Sequence, residues 1–558
     1  MPGLRIDNFS GIVPRTGPTE LEGNQAQIAN NAKLTSLEIR PWRSPTLEYT
    51  PSGGSSVQTI YKFQGQTGTS PIWLEWNYDV DVVPGPVADL SEFRLYYTSS
   101  GFSPKKTNWA LASSSGAGVA PFPNAYYEMG VPVPALGPTL SKAGTGAAPS
   151  EDRSYIYTYV TEFGTVAEES APSPATLITG VNTSGDSVTI SGFSAPPAGN
   201  YNFKYKRIYR SVIGATTASY LLVAEIPIAT SSYTDTKTIA QLGTALQSLY
   251  YTPPPSTLQG IVTMPNGLLA GFTGNQVWFC EPYLPHAWPA SYMLTTDYPI
   301  VGLGVFGNSL FVGTTRNPYM ITGTTPSSMM QEKLPMVQPC VSKKSIVSDQ
   351  YGVLYASPNG LASVAPGTQE VISNALYTRD EWQALNPSTM IGAVYNNMYF
   401  GFYQTTGGAR SSIVILRGDN PPLATFDSNA KARFVESNTG NVYYLSAADN
   451  KIYSLDSSIS GNTVFQWKSK KFLQPKPMTY ASLQLHADYD YMTAHSGSYV
   501  TVNLYAEGTL VFTSNITGNL PVRLPSMTRS YIWEIELIGN VPVRRVAIAT
   551  SVAELAGA

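Results

Sequence analysis

Short apolar and aromatic segments, each opened by a turn residue, recur between residues 274 and 445. Their apolar positions alternate with polar ones, which predicts strands, and Gly and Asn accept positive φ at little cost, which predicts tight turns. The segments are GNQVWF from Gly274, GNSLFV from Gly307, QYGVLYA from Gln350, YNNMYFGF from Tyr395 and GNVYYL from Gly440. Aligned on Asn275, Asn308, Tyr351, Asn396 and Gly440, they are spaced 33, 43, 45 and 44 residues apart.

A second turn follows in three of these units, at Asn317, Asn359 and Asn450. Each unit therefore supplies three strands, and a segment such as TMIGAVY supplies a fourth. Four strands in roughly 40–45 residues is the period of a β-propeller blade. The units lack the Trp-Asp and kelch signatures, so this prediction depends on the period, and a β-sandwich array with chance spacing stays open as the alternative.

The repeats divide the chain into five predicted domains. Residues 51–132 contain SVQTIYKF, PIWLEWNYDV and FRLYYT, which predict a first propeller blade, and residues 256–475 hold the remaining blades, about six in all. Residues 133–255 have a different pattern, with short strands separated by Gly and Pro turns, which predicts an inserted β-sandwich. Residues 1–50 form an N-terminal arm, and residues 476–558 return to alternating strands and predict a C-terminal β-sandwich.

The insertion resembles a fibronectin type III module. The resemblance rests on Tyr157 in an early strand, on the run Arg207-Ile208-Tyr209-Arg210 late in the module, and on Tyr233-Thr234-Asp235 at its end. In the strand around Tyr157, Tyr155 and Tyr159 are expected to share its face.

The sequences of the N-terminal arm and of the C-terminal region lead to two further local predictions. The Ala-rich stretch GNQAQIANNAKL could form about three helical turns, flanked by extended chain. In YIWEIELIG, Trp533, Ile535 and Leu537 are expected to face a core, whereas Glu534 and Glu536 are expected to face water.

Composition agrees with an all-β chain. The 558 residues include 47 Gly, 43 Pro and 36 Tyr, a mixture that favours strands and turns and excludes an all-helical fold. The formal net charge of −3 provides no broad basic field for nucleic acid. No run of about 18 apolar residues and no signal peptide is found, so we expect neither export nor a membrane-spanning segment. Cys280 and Cys340 are expected to be reduced and buried.

Catalytic motifs are mostly missing, and we predict no catalytic, cofactor-binding or metal-binding residues. His286, His486 and His495 have no metal-ligand spacing. Gly302, Gly304 and Gly307 match GxGxxG but precede a strand-like segment rather than a helix, and residues 103–106 match SxxK without its partner motifs. Asp349, Asp380 and Glu381 are the carboxylates that a propeller hydrolase would use, although their positions favour turns and surface.

Two lysine pairs have alternative interpretations. Lys343-Lys344 and Lys470-Lys471 each lie beside a strand, the second pair within FQWKSKKF between Trp467 and Phe472. They either contact phosphate or a partner protein, or they protect a solvated strand edge.

The order of these parts resembles the tail nozzle, or tail tubular protein B-like, proteins of short-tailed bacteriophages. The matching pattern is F-x-G-I-x-P-R, then AQ-x-A-x-N-A-x-L, then R-P-W-R in the arm, with FQWKSKKF near the far end. The matching residues are Phe9, Gly11, Ile12, Pro14, Arg15, Ala26, Gln27, Ala29, Asn31, Ala32, Leu34, Arg40, Pro41 and Arg43, and residues 466–472.

This resemblance implies a structural virion protein without enzymatic activity or cofactors. It implies a six-bladed propeller, a homohexamer around the tail axis, and a channel and gate for DNA ejection. The implied partners are the adaptor (head-to-tail connector) protein, tail fibre proteins and genomic DNA that passes through the lumen without sequence-specific binding. The protein would be made in the bacterial cytoplasm and reside in the virion tail.

The charge balance leads to a prediction about that lumen. A wall that neutralised many phosphates would hold the genome, because affinity rises steeply with each phosphate contact. We therefore expect a lumen that is neutral to acidic. The alternatives are a receptor- or glycan-binding tail protein that uses exposed aromatic residues, and a propeller hydrolase acting on host polysaccharide.

Overall fold

The fold is built almost entirely of strands. The computed structural model describes residues 3–65, 69–86, 92–114, 123–213, 218–418, 422–459, 461–525 and 529–556. The α-helices in these ranges are α1 (Trp109–Ala112), α2 (Arg379–Ala384), α3 (Tyr489–Ala494) and α4 (Val552–Ala556). The 3₁₀ turns are Gly54–Ser56, Ile239–Gln241, Ala290–Tyr292, Pro326–Ser328, Lys343–Ser345 and Pro387–Thr389. The all-β prediction is confirmed, and among the described residues no helix has the length and apolar character needed to cross a membrane.

The N-terminal arm is extended throughout its regular parts. Its strands are β1 (Leu4–Ile6), β2 (Ala26–Asn30), β3 (Ala32–Lys33), β4 (Arg40–Pro41) and β5 (Thr46–Tyr49). The predicted helical turns in GNQAQIANNAKL are wrong, because this stretch contains β2 and β3. Asn31 takes a left-handed φ of 51° between them, and pairing of β2 with two distant strands replaces the intrahelical hydrogen bonds.

In the first predicted blade region, the strands do not coincide with the three segments that the sequence predicts. The strands are β6 (Thr59–Phe63), β7 (Ile72–Trp76), β8 (Val80–Pro84), β9 (Leu95–Ser99), β10 (Phe102–Thr107) and β11 (Tyr127–Glu128). The segment PIWLEWNYDV is therefore split between β7 and β8. A four-stranded antiparallel sheet has the order β11-β10-β9-β8.

Residues 133–255 form two sheets around their own core. The strands are β12 (Thr139–Ala143), β13 (Ala147–Phe163), β14 (Val166–Glu169), β15 (Thr176–Ser184), β16 (Ser187–Ser191), β17 (Phe203–Ile213), β18 (Ala218–Pro227) and β19 (Ser232–Asp235). One sheet has the order β12-β16-β19, and the other has the order β14-β13-β17-β18 with β15 also paired to β13. Tyr155, Tyr157 and Tyr159 enter one hydrophobic cluster, as the alternation predicted.

The repeated region consists of consecutive four-stranded antiparallel groups. The first three are β20 (Gln259–Met264), β21 (Leu268–Thr273), β22 (Gln276–Phe279) and β23 (Leu294–Thr295); β24 (Ile300–Phe306), β25 (Ser309–Thr314), β26 (Tyr319–Thr322) and β27 (Met330–Lys333); and β28 (Val347–Ser348), β29 (Val353–Ser357), β30 (Gly360–Ala365) and β31 (Thr368–Val371). Next come β32 (Ile391–Tyr395), β33 (Met398–Gln404), β34 (Arg410–Leu416) and β35 (Leu423–Phe426), and then β36 (Ala430–Val435), β37 (Val442–Ser446) and β38 (Ile452–Ser454). The last group takes its fourth strand, β5, from the arm.

The turn residues lie where the sequence places them. Asn396 and Asn397 both have left-handed φ between β32 and β33, and Gly274, Gly307 and Gly440 have positive φ in other strand connections. Asn317, Asn359 and Asn450 lie between the later strands of their groups. The predicted hairpins are therefore confirmed.

The C-terminal strands complete two sheets together with the arm. They are β39 (Phe465–Ser469), β40 (Phe472–Met478), β41 (Ser482–Ala487), β42 (Val500–Ala506), β43 (Thr509–Asn515), β44 (Val522–Arg523), β45 (Ser530–Gly539) and β46 (Val543–Ala549). One sheet has the order β1-β46-β41-β44. The other continues the β32–β35 group through β2, β39, β45, β42 and β43, with β40 also paired to β45.

The chain forms two compact units. The first comprises Met1–Lys62, Gly313–Pro318 and Leu334–Ala558, and the second comprises Phe63–Val312 and Tyr319–Lys333. The first unit therefore holds the arm, the last repeated groups and the C-terminal sheets. The second holds the insertion and the first repeated groups.

Candidate functional site

The arm and the FQWKSKKF segment, which together carry the family resemblance, pair with each other. Strand β2 runs antiparallel to β39, with Ala26 opposite Ser469, Ala29 opposite Trp467 and Asn30 opposite Gln466. On its other side, β2 pairs in parallel with β35. We call residues 9–43 together with β39 the arm junction.

Trp467 forms the centre of the arm junction. Its side chain is fully buried, and its ring meets the ring of Phe9 edge-on, with 4.9 Å between centroids. The indole Nε1 donates a hydrogen bond of 2.9 Å to the carbonyl oxygen of Ser10. The arm therefore supplies both the apolar contact and the polar partner that a buried tryptophan requires.

Gly11 brings the arm close to β35. A Cβ atom at this position would lie 2.1 Å from the carbonyl oxygen of Leu423, which is closer than any side chain tolerates. The next residue, Ile12, donates its backbone N–H to that same oxygen at 2.8 Å. Glycine is required here because two backbones approach each other directly.

Asn31 and Asp427 hold the turn after β2 by reciprocal hydrogen bonds. The Asn31 side-chain amide donates to one Asp427 carboxylate oxygen at 2.6 Å, and the Asp427 backbone N–H donates to the Asn31 side-chain oxygen at 2.9 Å. The neighbouring Asn30 amide donates to the other carboxylate oxygen at 2.8 Å. This set of bonds compensates for the left-handed backbone of Asn31.

The R-P-W-R segment lies at the end of the arm junction, where its tryptophan packs in a second aromatic core. Trp42 is buried against Phe400 and Phe426, with ring centroids 5.4 and 5.8 Å away. The Lys33 ammonium lies 4.7 Å from the centre of the Trp42 ring and forms an ion pair with Asp456 at 2.9 Å. Asp427 and Asp456 could not be recognised as partners from the sequence, because both are distant carboxylates in turns.

A row of polar side chains lies on β45 next to the arm junction. Glu534 accepts hydrogen bonds from Gln27 Nε2 at 2.6 Å and faces Lys468 Nζ at 3.3 Å. Glu536 accepts hydrogen bonds from Gln466 Nε2 at 2.6 Å, Asn503 Nδ2 at 2.8 Å and the Tyr505 hydroxyl at 2.7 Å. The opposite side of β45 places Trp533, Ile535 and Leu537 in the core, as predicted.

The two glutamates are buried, so the expectation that they face water is wrong. Glu534 is 1% exposed and Glu536 is 5% exposed, because side chains from neighbouring strands cover them. Burial alone would raise the pKa of Glu536, but hydrogen bonds from Asn503, Tyr505 and Gln466 and the charge of Lys468 hold it below its ordinary 4.5. Both carboxylates have donors from the protein and therefore act as cross-strand anchors.

A second buried charged cluster lies inside the second unit. Lys106 on β10 forms an ion pair with Glu168 on β14, and both side chains are almost fully buried. Burial opposes ionisation of Glu168, but the Lys106 charge and nearby His286 and Arg94 lower its pKa. Burial, together with the Lys106 charge, lowers the pKa of His286 despite the opposing effect of Glu168. This pair ties the insertion to the first four-stranded sheet.

The carboxylates that a hydrolase would use take part in turns and in a helix cap. Asp349 accepts hydrogen bonds from the backbone N–H groups of Tyr351 and Gly352 and pairs with Arg417 at 2.9 Å. Asp380 and Glu381 lie in the first turn of α2, where Glu381 takes part in a capping box. Asp380 is exposed at the surface, as predicted, whereas the surface placement predicted for Asp349 is wrong, because its side chain is only 4% exposed beside Arg417.

The remaining candidate motifs are also placed in the fold. Gly302 and Gly304 lie within β24, and residues 103–106 lie within β10, so neither motif has the loop and helix that its chemistry needs. The free thiols of Cys280 and Cys340 are buried, and burial raises the pKa of each to about 12. Across the described ranges, no group of three or more His, Cys, Asp or Glu residues is placed to hold a metal ion.

The lysine pairs contact backbone carbonyl groups. Lys470 donates through Nζ to the carbonyl of Leu21, and its neighbour Lys471 donates its backbone N–H to Pro18 at 2.9 Å. Lys344 Nζ donates to the carbonyl of Gln58 at 3.2 Å. The second pair therefore fastens the arm to the end of β39.

Comparisons with known proteins identify no family. No protein-family model matches the chain, and no curated protein matches it. Among solved structures, PorZ, a surface component of the type-IX secretion system of Porphyromonas gingivalis, is 12% identical, with 86% of this chain and 84% of that chain covered and a TM-score of 0.26. Hsv2 of Kluyvelomyces marxianus is 8% identical, with 47% and 69% covered and a TM-score of 0.23. Scores this low support no argument about this chain.

Proposed function

We propose that this protein is a structural component of a short-tailed bacteriophage tail, the nozzle that serves as channel and gate for DNA ejection. The observation that carries the proposal is the arm junction. The residues that resemble the family lie at opposite ends of the chain, yet β2 pairs with β39 and Phe9 packs on Trp467. Chance similarities scattered along a chain have no reason to meet in one folded feature.

The repeated groups support the propeller part of the proposal. Five four-stranded groups follow one another in the repeated region of the described chain, and the β8–β11 sheet of the first predicted blade region is a sixth. The last group is completed by β5, which precedes all the others in the chain. When a ring of blades closes, one sheet combines strands from the first and last parts of the chain. This pairing avoids an exposed edge strand.

The partners of the carboxylates in and beside the arm junction support a structural role. Glu534, Glu536, Asp427 and Asp456 are each bound by donors from the protein and link strands that are far apart in sequence. A scaffold that resists force benefits from such links, whereas a hydrolase needs an acid and a base free to reach substrate. We propose a homohexamer that contacts the adaptor protein and tail fibre proteins and passes DNA through its lumen without reading sequence.

Native mass spectrometry and negative-stain imaging of the purified full chain test this function. We expect particles of six chains with six-fold symmetry and a central opening. A slender trimer, or a single chain that binds a defined saccharide tightly on a glycan array, would overturn the proposal in favour of a receptor- or glycan-binding tail protein. All nine tryptophans lie in described residues and none is exposed, which disfavours a tryptophan platform for sugars.

A further inference from the structure

Three cationic side chains on two strands of the first unit form no ion pair with any carboxylate in the part of the chain that the structure describes. Arg410 begins β34, and Lys431 and Arg433 lie two residues apart on β36. On β36, Ala430 and Ala432 are buried, whereas Lys431 and Arg433 are each partly exposed. We call Arg410, Lys431 and Arg433 the basic cluster.

Arg410 lies next to Lys431, and Arg433 is on the same strand as Lys431. The Arg410 guanidinium donates to the carbonyl oxygen of Ala430 at 3.2 Å, which places it beside Lys431. Arg433 follows Lys431 by two residues on β36, whose pairing with β37 is irregular between Ala430 and Ala432. The positive charge of Arg410 also contributes to lowering the pKa of Lys431, after the larger effect of burial.

Among the described residues, the acceptors of these cations are neutral groups. Lys431 Nζ donates to the carbonyl oxygen of Ser55 at 3.0 Å and to the side-chain oxygen of Asn450. Arg433 Nη2 donates to the carbonyl oxygen of Ile346 at 3.2 Å. A guanidinium has five N–H donors and an ammonium has three, so most donors of the cluster have no acceptor within the described ranges of the chain.

Arg433 provides an independent sign of a missing acceptor. Its Nε is buried and has no hydrogen-bond partner. Burial lowers the pKa of Arg433 and of Arg410 below the ordinary 12.5. Grouped, partly desolvated cations without a counter-charge are costly, and an anion with several acceptor oxygens would remove that cost.

We infer that the basic cluster is a binding site for a phosphate group. A phosphate dianion offers several acceptor oxygens and close to two negative charges, which suits two guanidinium groups and one ammonium better than a single carboxylate does. Lys344 Nζ binds the carbonyl of Gln58, three residues along the chain from the Ser55 carbonyl that Lys431 binds. The site concerns one chain and does not depend on the proposed nozzle assembly.

Isothermal titration of the full chain with inorganic phosphate tests the site, with adenosine monophosphate as a second probe. We expect saturable binding of phosphate and a rise in the thermal unfolding temperature that sodium chloride at equal ionic strength does not reproduce. Binding of inorganic phosphate alone would indicate free phosphate as the ligand, and tighter binding of the nucleotide would indicate a phosphomonoester. Equal effects of phosphate and chloride would overturn the proposal.

Matched variants locate the binding. Lys431→Gln and Arg410→Gln should each weaken phosphate affinity about tenfold or more, because each removes a charged donor. The control is Lys451→Gln, which removes an equal charge from the same sheet but from a lysine that already faces Asp449 at 4.0 Å. Unchanged affinity in both cluster variants, or an equal loss in the control, would show that these cations serve only to hold the backbone.

Discussion

Single residues in the arm junction determine whether the arm can lie on the sheet. At Gly11 the arm backbone meets the backbone of Leu423 with no room for a Cβ atom. At Gly23, in the same arm, a Cβ atom would meet nothing within 4 Å. These two glycines therefore form a natural comparison.

We predict that Gly11→Ala destabilises the protein by about 3 kcal/mol, the upper end of the cost of overpacking, because backbone cannot move aside as a flexible side chain does. Urea denaturation followed by tryptophan fluorescence measures the effect, since Trp467 reports on the junction. Gly23→Ala is the control and should be near neutral. Equal unfolding midpoints for the two variants would contradict the close approach.

The buried Glu536 makes stability depend on pH in a defined direction. Its folded pKa is lowered, so its contribution is complete above the unfolded value of about 4.3 and is lost as the pH falls through the folded value. We predict that Glu536→Gln costs about 1–3 kcal/mol at pH 7 and flattens the loss of stability below about pH 5. Denaturation midpoints at several pH values check this, with the exposed Glu48→Gln as control. An unchanged pH profile would show that Glu536 does not contribute.

At the scale of elements, the arm provides strands to sheets built mainly from the other end of the chain. Strand β1 pairs with β46, β2 pairs with β39, and β5 pairs with β38. None of these arm strands exceeds five residues, so each depends on its partner for stability. The pairing of β5 is the one on which the proposed ring closure depends.

We predict that Thr46→Cys combined with Ser454→Cys forms a disulfide on mild oxidation, because these residues are directly opposite in the register. The link would add up to about 5 kcal/mol, since it closes a very long loop. The control is Leu47→Cys with Ser454→Cys, in which the neighbouring side chain points to the other face. Mass analysis after thiol blocking detects the bond, and equal yields in both pairs would contradict the register.

At the scale of the whole molecule, charge limits how the protein can interact with DNA. With a formal net charge of −3, we predict that duplex DNA binds the full chain no more tightly than about 10 μM at 150 mM salt, within the range of non-specific contacts. Fluorescence anisotropy with a labelled duplex at two salt concentrations measures this. Submicromolar affinity at 150 mM salt would contradict the expected neutral to acidic lumen.

The local pattern was sufficient for the strands and turns of the repeated region and for the side chains that face the core of the insertion. Asn396, Gly307 and Tyr157 lie where their alternation and turn chemistry indicate, because period-two alternation and positive φ depend only on neighbours in sequence. The buried, free state of Cys280 and Cys340 was also predictable from their apolar surroundings.

Only the tertiary structure decided which strands became partners. The Ala-rich arm segment is compatible with a helix, and it is a strand because β39 and β35 supply hydrogen bonds from far along the chain. Glu534 and Glu536 look solvent-facing in sequence, and they are buried because Gln27, Lys468 and Tyr505 arrive from other strands. Local alternation assigns a side chain to a face, whereas the chain folded around that face determines whether it meets water, a charge or another strand.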